Sequence, residues 1–114
     1  MAEKLYPLND FAMFVKLKDI DSETGVVAPL TEGTVTAFLA TTNEADATAA
    51  DGTLSVEAVH ISSGKWLVFF DASVLTLTLL ETHFAAATPY LIVQQSNGFR
   101  VYEELEYSES RAAA

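Results

Sequence analysis

Apolar and polar side chains alternate along several short stretches of this chain, and the clearest stretch runs from residue 11 to residue 18. Its odd positions carry Phe, Met, Val and Leu, whereas its even positions carry Ala12, Phe14, Lys16 and Lys18. Successive side chains of a β-strand point to opposite faces of the sheet, so this period of two predicts a strand with one buried face. A chain that repeats this pattern folds by stacking sheets against each other.

Similar stretches follow at short intervals, and turn-forming residues separate them. Asn97-Gly98 supplies the positive φ angles of a tight turn, and residues 62–65 (Ser-Ser-Gly-Lys) form a compact hairpin turn. We therefore predict one all-β domain over residues 11–107, an antiparallel β-sandwich of six to eight strands with an immunoglobulin-like or jelly-roll-like arrangement. The predicted strands after the first cover residues 34–41, 53–61, 66–70, 90–95 and 99–107.

The stretch from residue 71 to residue 84 is compatible with two structures. Leucines at 75, 77 and 79 alternate with threonines, which favours a strand, whereas the apolar residues at 77, 80 and 84 lie on one face of a helix. Asp71 or Ser73 could cap such a helix, because a side-chain oxygen accepts hydrogen bonds from the first backbone N–H groups. We favour a short helix at about residues 73–84 that crosses one end of the sandwich.

Charge and composition restrict the partners. The chain carries 16 acidic and six basic residues, a formal charge of −10, and no cysteine. Nucleic acid and anionic membranes are poor partners, because binding to phosphate depends on Lys and Arg. Half of the residues are hydrophobic, which is high for a soluble domain and indicates that some apolar surface is reserved for a partner. We expect other proteins as partners, including further copies of this chain, and no cofactor.

Three acidic residues in one turn, Asp19, Asp21 and Glu23, form the one candidate metal site, because hard cations bind several oxygens at once. The more ordinary interpretation is a solvated turn, and we predict no metal. His60 and His83 are the only histidines, and no spaced set of zinc ligands accompanies them. The Gly-x-Ser-x-Gly nucleophile motif is also absent. We therefore predict no catalytic residue and no enzymatic activity.

Glutamates make the last predicted strand acidic. Glu104 and Glu106 share a face with Tyr102, and Glu103 lies on the other face. Neighbouring carboxylates along one strand do not flank a cleft, as glycoside hydrolysis requires. We interpret the strand as an edge protected by charge, or as an acidic docking face for Lys or Arg of a partner. In a hypothesis of another class, Trp66 or Tyr102 stacks on sugar rings, and the chain is a carbohydrate-binding module.

The two ends of the chain are predicted to lie outside the sandwich. Residues 1–10 are expected to form an extended arm whose apolar side chains become ordered on a neighbouring subunit, with a frayed terminus as the alternative. Residues 108–114 are polar and then small, which predicts a flexible tail. The candidate partner-binding residues are Leu5, Tyr6 and Leu8 from the arm, and Glu103, Glu104 and Glu106 from the acidic strand.

Two parts of the chain carry a resemblance to a known group of proteins. Residues 15–25 (VKLKDIDSETG) lead from a strand into a Thr-Gly turn, residues 30–39 (LTEGTVTAFL) follow, and residues 63–72 (SGKWLVFFDA) form a later strand. In this order they resemble the small immunoglobulin-like domains of tailed-bacteriophage virions, which occur in head decoration or cement proteins, neck and tail adaptors, and the N-terminal domains of baseplate upper proteins. The likeness covers about half of the chain and carries no catalytic residues.

The resemblance implies a non-enzymatic structural protein of a phage virion, made in the host cytoplasm and carried on the particle. We expect in particular a capsid decoration, or cement, subunit that stabilises the shell through contacts with the major capsid protein and is present in many copies. A neck, tail or baseplate adaptor is the alternative within the same class.

Overall fold

The computed structural model describes residues 3–20, 23–44, 47–95 and 100–108, and these ranges contain ten β-strands and one α-helix. The fold is all-β and sandwich-like, as the alternating pattern predicts. In chain order the elements are β1 (Glu3–Leu5), β2 (Phe11–Lys16), β3 (Lys18–Ile20), β4 (Val27–Pro29), β5 (Val35–Ala40), β6 (Ser55–Glu57), β7 (Val59–Ser62), β8 (Lys65–Phe70), α1 (Leu77–Phe84), β9 (Tyr90–Gln95) and β10 (Arg100–Tyr107).

Two sheets stack to form the sandwich, and a separate hairpin adjoins one of them. The five-stranded sheet has the order β1-β10-β9-β5-β6, the three-stranded sheet has the order β2-β8-β7, and β3 pairs with β4. Strand pairs are antiparallel except for β1, which runs parallel to β10. The apolar strand β8, which covers the strand predicted over residues 66–70, is central in its sheet.

The inner faces of the two sheets share one hydrophobic core. Trp66, Val68 and Phe70 of β8 enter it from the three-stranded sheet, and Leu91 and Val93 of β9 enter it from the five-stranded sheet. These side chains are at most 3% exposed. Burial of each such side chain stabilises the fold by roughly 1.5–3 kcal/mol, so the shared core holds the two layers together.

The single strand predicted over residues 53–61 is two strands in different sheets. β6 pairs with β5, whereas β7 pairs with β8. Between them Ala58 is buried, and its N–H donates to the carbonyl oxygen of Val35 at 2.8 Å. A side chain this small lets the chain cross from one layer to the other inside the core. The pairing of β7 with β8 then shifts register between His60 and Ser62, as in a β-bulge.

The stretch with two predicted structures contains a helix, but α1 starts later than the predicted range 73–84. Thr76 is its N-cap, with Oγ1 accepting a hydrogen bond from the N–H of Leu79 at 3.2 Å. Asp71 closes a turn instead, because its Oδ1 accepts from the N–H of Ser73 at 2.9 Å. Both residues act as caps for backbone donors, but only the threonine is adjacent to the helix.

The N-terminal segment belongs to the sandwich. Leu5 pairs with Tyr107, is fully buried in the core, and accepts a hydrogen bond from the N–H of Ser108 at 3.1 Å. This placement corrects the prediction of an extended arm, because residues 3–5 close the edge of the five-stranded sheet. Residues 1–2 and, in the predicted tail, residues 109–114 lie outside the described residues, as do Asp21 and the Asn97-Gly98 turn.

The turn between β7 and β8 brings the backbone close to the β3–β4 hairpin. Ser63 and Gly64 have φ angles of 48° and 83°, which fits the predicted tight turn. A Cβ atom on Gly64 would lie 2.8 Å from the carbonyl oxygen of Leu17 and 2.8 Å from the Cβ of Pro29. The missing side chain at this position therefore lets the hairpin pack against the turn.

This close approach can be tested by comparing two glycines. Gly64 and Gly25 both have positive φ angles, but nothing lies within 4 Å of a Cβ built on Gly25. We expect Gly64→Ala to lower the free energy of unfolding by about 1–3 kcal/mol more than Gly25→Ala, because only the former adds a steric clash to the backbone strain. Urea unfolding at neutral pH measures both, and equal losses would contradict the packing described.

The role of β1 can be tested with two nearby leucines. Leu5 is fully buried, whereas Leu8 is 66% exposed. We expect Leu5→Ala to lower the free energy of unfolding by about 2–5 kcal/mol, as for other buried leucines. Leu8→Ala should change it by less than about 0.5 kcal/mol. Urea unfolding measures both, and an unaffected Leu5→Ala variant would restore the prediction of a free arm.

Candidate functional site

The outer face of the three-stranded sheet is apolar and exposed. Phe14 of β2 lies opposite Leu67 of β8, which lies opposite Val59 of β7, and Ala12 lies opposite Phe69 one row further along. Phe14 is 55% exposed, Val59 58% and Phe69 42%. These five residues are called the open face below. Exposed apolar patches on a soluble domain typically mark interaction sites.

Two lysines lie at one end of the open face. Lys16 pairs with Lys65 across β2 and β8, in the row beyond Phe14. The Nζ atom of Lys65 lies 4.9 Å from the centre of the Phe14 ring, which is a cation–π distance. The positive charge is therefore held against the apolar surface.

Two aspartates lie at the opposite end. Asp10 immediately precedes β2 and Asp71 immediately follows β8, and both are exposed. The Asp10 Oδ1 atom accepts a hydrogen bond from the N–H of Ala72 at 2.7 Å. Hydrogen bonds from the backbone and side chain of Ser73 lower the pKa of Asp71 from its ordinary value, so this carboxylate is ionised at neutral pH. The open face is thus positive at one end and negative at the other.

Part of the outer face of the five-stranded sheet is covered by the chain itself. Phe38, Ala40 and Ile92 point outward from this sheet, yet they are at most 7% exposed because they form a second apolar cluster with Ala47 of the loop after β5. Arg100 holds the loop in place: its Nη1 donates to the carbonyl oxygen of Ala47 at 2.8 Å, and its guanidinium lies 5.6 Å from the Phe38 ring centre. The three-stranded sheet has no equivalent cover among the described residues.

The predicted acidic docking residues are exposed on β10. Glu103, Glu104 and Glu106 all face solvent, but the end of the strand is not an edge, because Lys4 of β1 lies opposite Glu106. A groove of about 460 Å³ lies between this end of β10 and the loop that follows α1. Residues 85–87, which are alanines, and the acidic residues Glu104 and Glu106 are among those that line it. This lining suits the aliphatic stem and cationic head of a partner's Lys or Arg.

The other three predicted partner-binding residues have different environments. Leu5 is fully buried in the chain's own core, so its assignment to a partner is corrected. Tyr6 is half-buried. Leu8 is 66% exposed at a φ of 59°, and its N–H donates to the carbonyl oxygen of Leu75 at 2.7 Å. A backbone anchored in this way presents the Leu8 side chain to solvent.

The two histidines lie in different surroundings. His60 packs against the edge of Trp66, with ring centres 5.1 Å apart, and its Nε2 accepts a hydrogen bond from the N–H of Gly64 at 3.2 Å. That hydrogen bond places the ring proton on Nδ1 and occupies the nitrogen that a general base would use. His83 lies in the last turn of α1, beside a groove of about 550 Å³ lined by Asp51 and several Ser and Thr residues.

Asp51, at the rim of that groove, is held in its charged form by its neighbour. The backbone N–H and the hydroxyl of Thr53 donate to its Oδ1 at 3.0 and 2.8 Å. These hydrogen bonds lower the pKa of Asp51 from its ordinary value, and His83 adds a smaller contribution. The carboxylate therefore caps the turn at residues 51–53, which lies shortly before β6 in the loop between β5 and β6.

The predicted sugar-stacking residues also differ. Trp66 is only 3% exposed, and its Nε1–H donates to the carbonyl oxygen of Leu30 at 2.9 Å, so the hypothesis that it binds sugars is wrong. The indole is buried because its polar atom finds a partner inside the core. Tyr102 is 53% exposed and packs edge-on against Tyr90, with ring centres 6.1 Å apart.

The acidic turn lies only partly within the described residues. Asp19 and Glu23 are exposed, and Asp21 lies outside the described residues. Within residues 3–20, 23–44, 47–95 and 100–108, no group of three or more His, Asp or Glu could hold a metal ion. In the same ranges, no helix has the length and apolar character needed to cross a bilayer.

Comparisons with known proteins give no match: no protein-family model fits the chain, and no curated protein matches it in sequence. What the chain does must therefore be inferred from its surfaces and from the resemblance carried by its motifs.

Sequence reasoning did not single out the open face, although a signal was present. Phe14 occupies an even position between Ala12 and Lys16, where a strand with one buried face should carry polar residues. Phe69 likewise points away from the core between Val68 and Phe70. Large apolar residues on both sides of a strand indicate either a second buried face or a surface that awaits a partner.

The charge at Asp71 predicts a specific acid sensitivity. Its pKa is lower in the folded chain, so its contribution to stability is present above the unfolded value of about 4 and is lost as the pH falls through the folded value. We expect Asp71→Asn, whose amide oxygen still accepts a hydrogen bond, to show a smaller loss of urea midpoint between pH 5 and pH 2.5 than the original chain. Glu57→Gln, which removes an exposed carboxylate from β6, is the control and should not reduce this loss.

Proposed function

We propose that this chain is a non-enzymatic structural protein of a tailed-phage virion, and in particular a capsid decoration subunit. The observation that supports a function in protein association is the open face. It presents the exposed Phe14 and Val59, with the half-buried Leu67 between them, while the loop after β5 covers the apolar part of the outer face of the other sheet around Phe38. A domain that covers one apolar face and leaves another bare is suited to bury the second face against protein.

Association of this kind requires no chemistry beyond surface burial. Apolar surface removed from water contributes about 25 cal/mol per Å², and a standard interface buries about 800 Å² per partner. In a shell with many equivalent sites, each bound subunit favours the assembled state over the free one by mass action. A small all-β domain with a rigid core meets this demand.

The virion part of the proposal is supported by the sequence resemblance. One of the resembling stretches, residues 63–72, contains β8, the central strand beneath the open face. Of the other two, residues 15–25 contain β3, and residues 30–39 contain most of β5. The positions that carry the resemblance are thus strands and turns of the scaffold.

The contact with the shell is assigned to β10 and its groove. Glu104 and Glu106 line the groove and lie on the same face as the exposed Tyr102. Aromatic residues ringed by charge are common at the centre of interfaces, and complementary charge speeds encounter with a basic partner. A chain of net charge −10 suits a basic surface on the capsid.

The assignment predicts the effect of charge reversal on β10. We expect the double variant Glu104→Lys with Glu106→Lys to bind at least about tenfold more weakly to particles assembled from the major capsid protein of the same genome, because two partner cations lose their carboxylates. Co-sedimentation of the purified chain with such particles measures the affinity. The control is Glu57→Lys with Glu81→Lys, which makes the same change of charge at exposed positions of β6 and α1.

The outcomes separate the parts of the proposal. Weak binding of the β10 variant alone supports both the function and the site. An equal loss in both variants indicates attraction by net charge and removes β10 as the site. An original chain that binds no virion particle at saturating concentration contradicts the proposed function.

A carbohydrate-binding function is the second candidate, and it now depends on Tyr102 alone. The exposed ring, supported edge-on by Tyr90, has the geometry of a sugar-stacking platform. A glycan array probed with the original chain and with Tyr102→Ala would decide the matter. Binding that disappears in the variant supports this function, and uniform silence leaves the association function.

A further inference from the structure

We infer that the open face is the surface through which two copies of this chain pack against each other, related by a twofold axis that lies between the faces and runs across the strands. The inference deepens the proposed function, and it rests on that function for the assignment of the open face to protein association. It names the occupant as a second copy and fixes the relative orientation.

The order of charges along the strands selects this orientation. Counting outward from the row of Met13 and Val68, which lie opposite each other, Lys16 at the end of β2 and Asp10 just before β2 are three residues away in opposite directions. Lys65 and Asp71 are likewise three residues away on β8. A twofold axis above this row therefore places both lysines of one copy over both aspartates of the other. A copy in the same strand direction would place lysine over lysine.

The same axis also brings apolar side chains together. It places the large Phe14 of one copy over the small Ala12 of the other, because both are one residue from Met13 in opposite directions. Interdigitation of large and small residues is what closely packed sheets require. Leu67 lies over Phe69 by the same relation about Val68, so two large apolar side chains meet there. The choice of orientation therefore rests mainly on charge, and the pair of Phe14 and Ala12 agrees with it.

A partner of uniform charge fits this face less well. An acidic partner would meet Asp10 and Asp71, and a basic partner would meet Lys16 and Lys65. The open face and its two ends together carry two lysines and two aspartates, so their charges balance, although the chain carries a net charge of −10. A balanced patch on an acidic protein also lowers the repulsion that a second copy would otherwise meet.

The size of the open face predicts a weak and reversible dimer. Six residue steps from Asp10 to Lys16 span roughly 20 Å, and three strands about 4.8 Å apart span roughly 15 Å with their side chains. This footprint is smaller than the roughly 800 Å² per partner of a standard interface. The dimer should therefore form at high local concentration, as on the surface of a particle.

The first test compares two exposed aromatic residues on strands. Phe14 is 55% exposed on the open face, and Tyr102 is 53% exposed on the other sheet. Analytical ultracentrifugation of the full chain over a wide concentration range should show a monomer–dimer equilibrium. We expect Phe14→Ser to raise the dimer dissociation constant at least about tenfold, and Tyr102→Ser to change it less than about twofold. Equal effects would overturn the inference.

The second test uses charge to force a mixed dimer. Lys65→Glu alone and Asp71→Lys alone each place like charges opposite each other twice in a twofold dimer, so both should dimerise more weakly than the original chain. In a mixture of the two variants, one contact becomes Glu opposite Lys and the other stays Lys opposite Asp. Native mass spectrometry should then detect the mixed dimer in excess over both homodimers, and a statistical mixture would overturn the orientation.

Asp71 also caps the turn at Ser73, so its replacement could disturb folding. Circular dichroism checks each variant, and Lys16→Glu mixed with Asp10→Lys repeats the design on β2. A chain that stays monomeric at every concentration but still binds virion particles overturns the inference and leaves the proposed function intact. A chain that dimerises as described but binds no particle supports the inference and contradicts the virion function.

Discussion

Burial of one face of each sheet in a shared core is the constraint on which the rest of this structure depends. Strands β8 and β9 supply buried side chains to that core from opposite layers, and β2, β7, β5 and β10 pair directly with one or the other of them. Helix α1 contributes Leu80 and Phe84 at one end, and β1 contributes Leu5 at one edge. A chain of this length without disulfides depends on such burial for its stability.

Once the inner faces are used, the two outer faces are treated differently. Arg100 binds the loop after β5 and packs over Phe38, so the apolar cluster on the outer face of the five-stranded sheet is buried within one chain. The three-stranded sheet keeps Phe14 and Phe69 exposed between two lysines and two aspartates. If the open face mediates self-association as proposed, the acidic strand β10 on the other side of the sandwich stays accessible to a different partner.

The sequence predicted those parts of the fold that depend on local pattern. The period of two identified β2, the apolar run at residues 66–70 identified β8, and the Ser63-Gly64 pair identified the turn between β7 and β8. It did not reveal that the chain changes sheet at Ala58, because alternation continues through the crossing, nor that β1 pairs with a strand a hundred residues away. The sequence pattern did not identify the open face for a related reason. Phe14 and Phe38 look alike in their strands, and only the folded loop decides which of them is covered.

The register shift between His60 and Ser62 has a consequence for how assembly stops. These residues lie on β7, the outermost strand of the three-stranded sheet, where a regular ladder would offer its free backbone groups to an incoming strand. Because of the register shift, the free backbone groups of β7 are irregularly spaced and pair poorly with an incoming strand. Growth into a fibril by strand addition is therefore disfavoured at this edge. In the proposed dimer the two open faces cover each other, so association through these side chains stops at two molecules instead of continuing into a polymer.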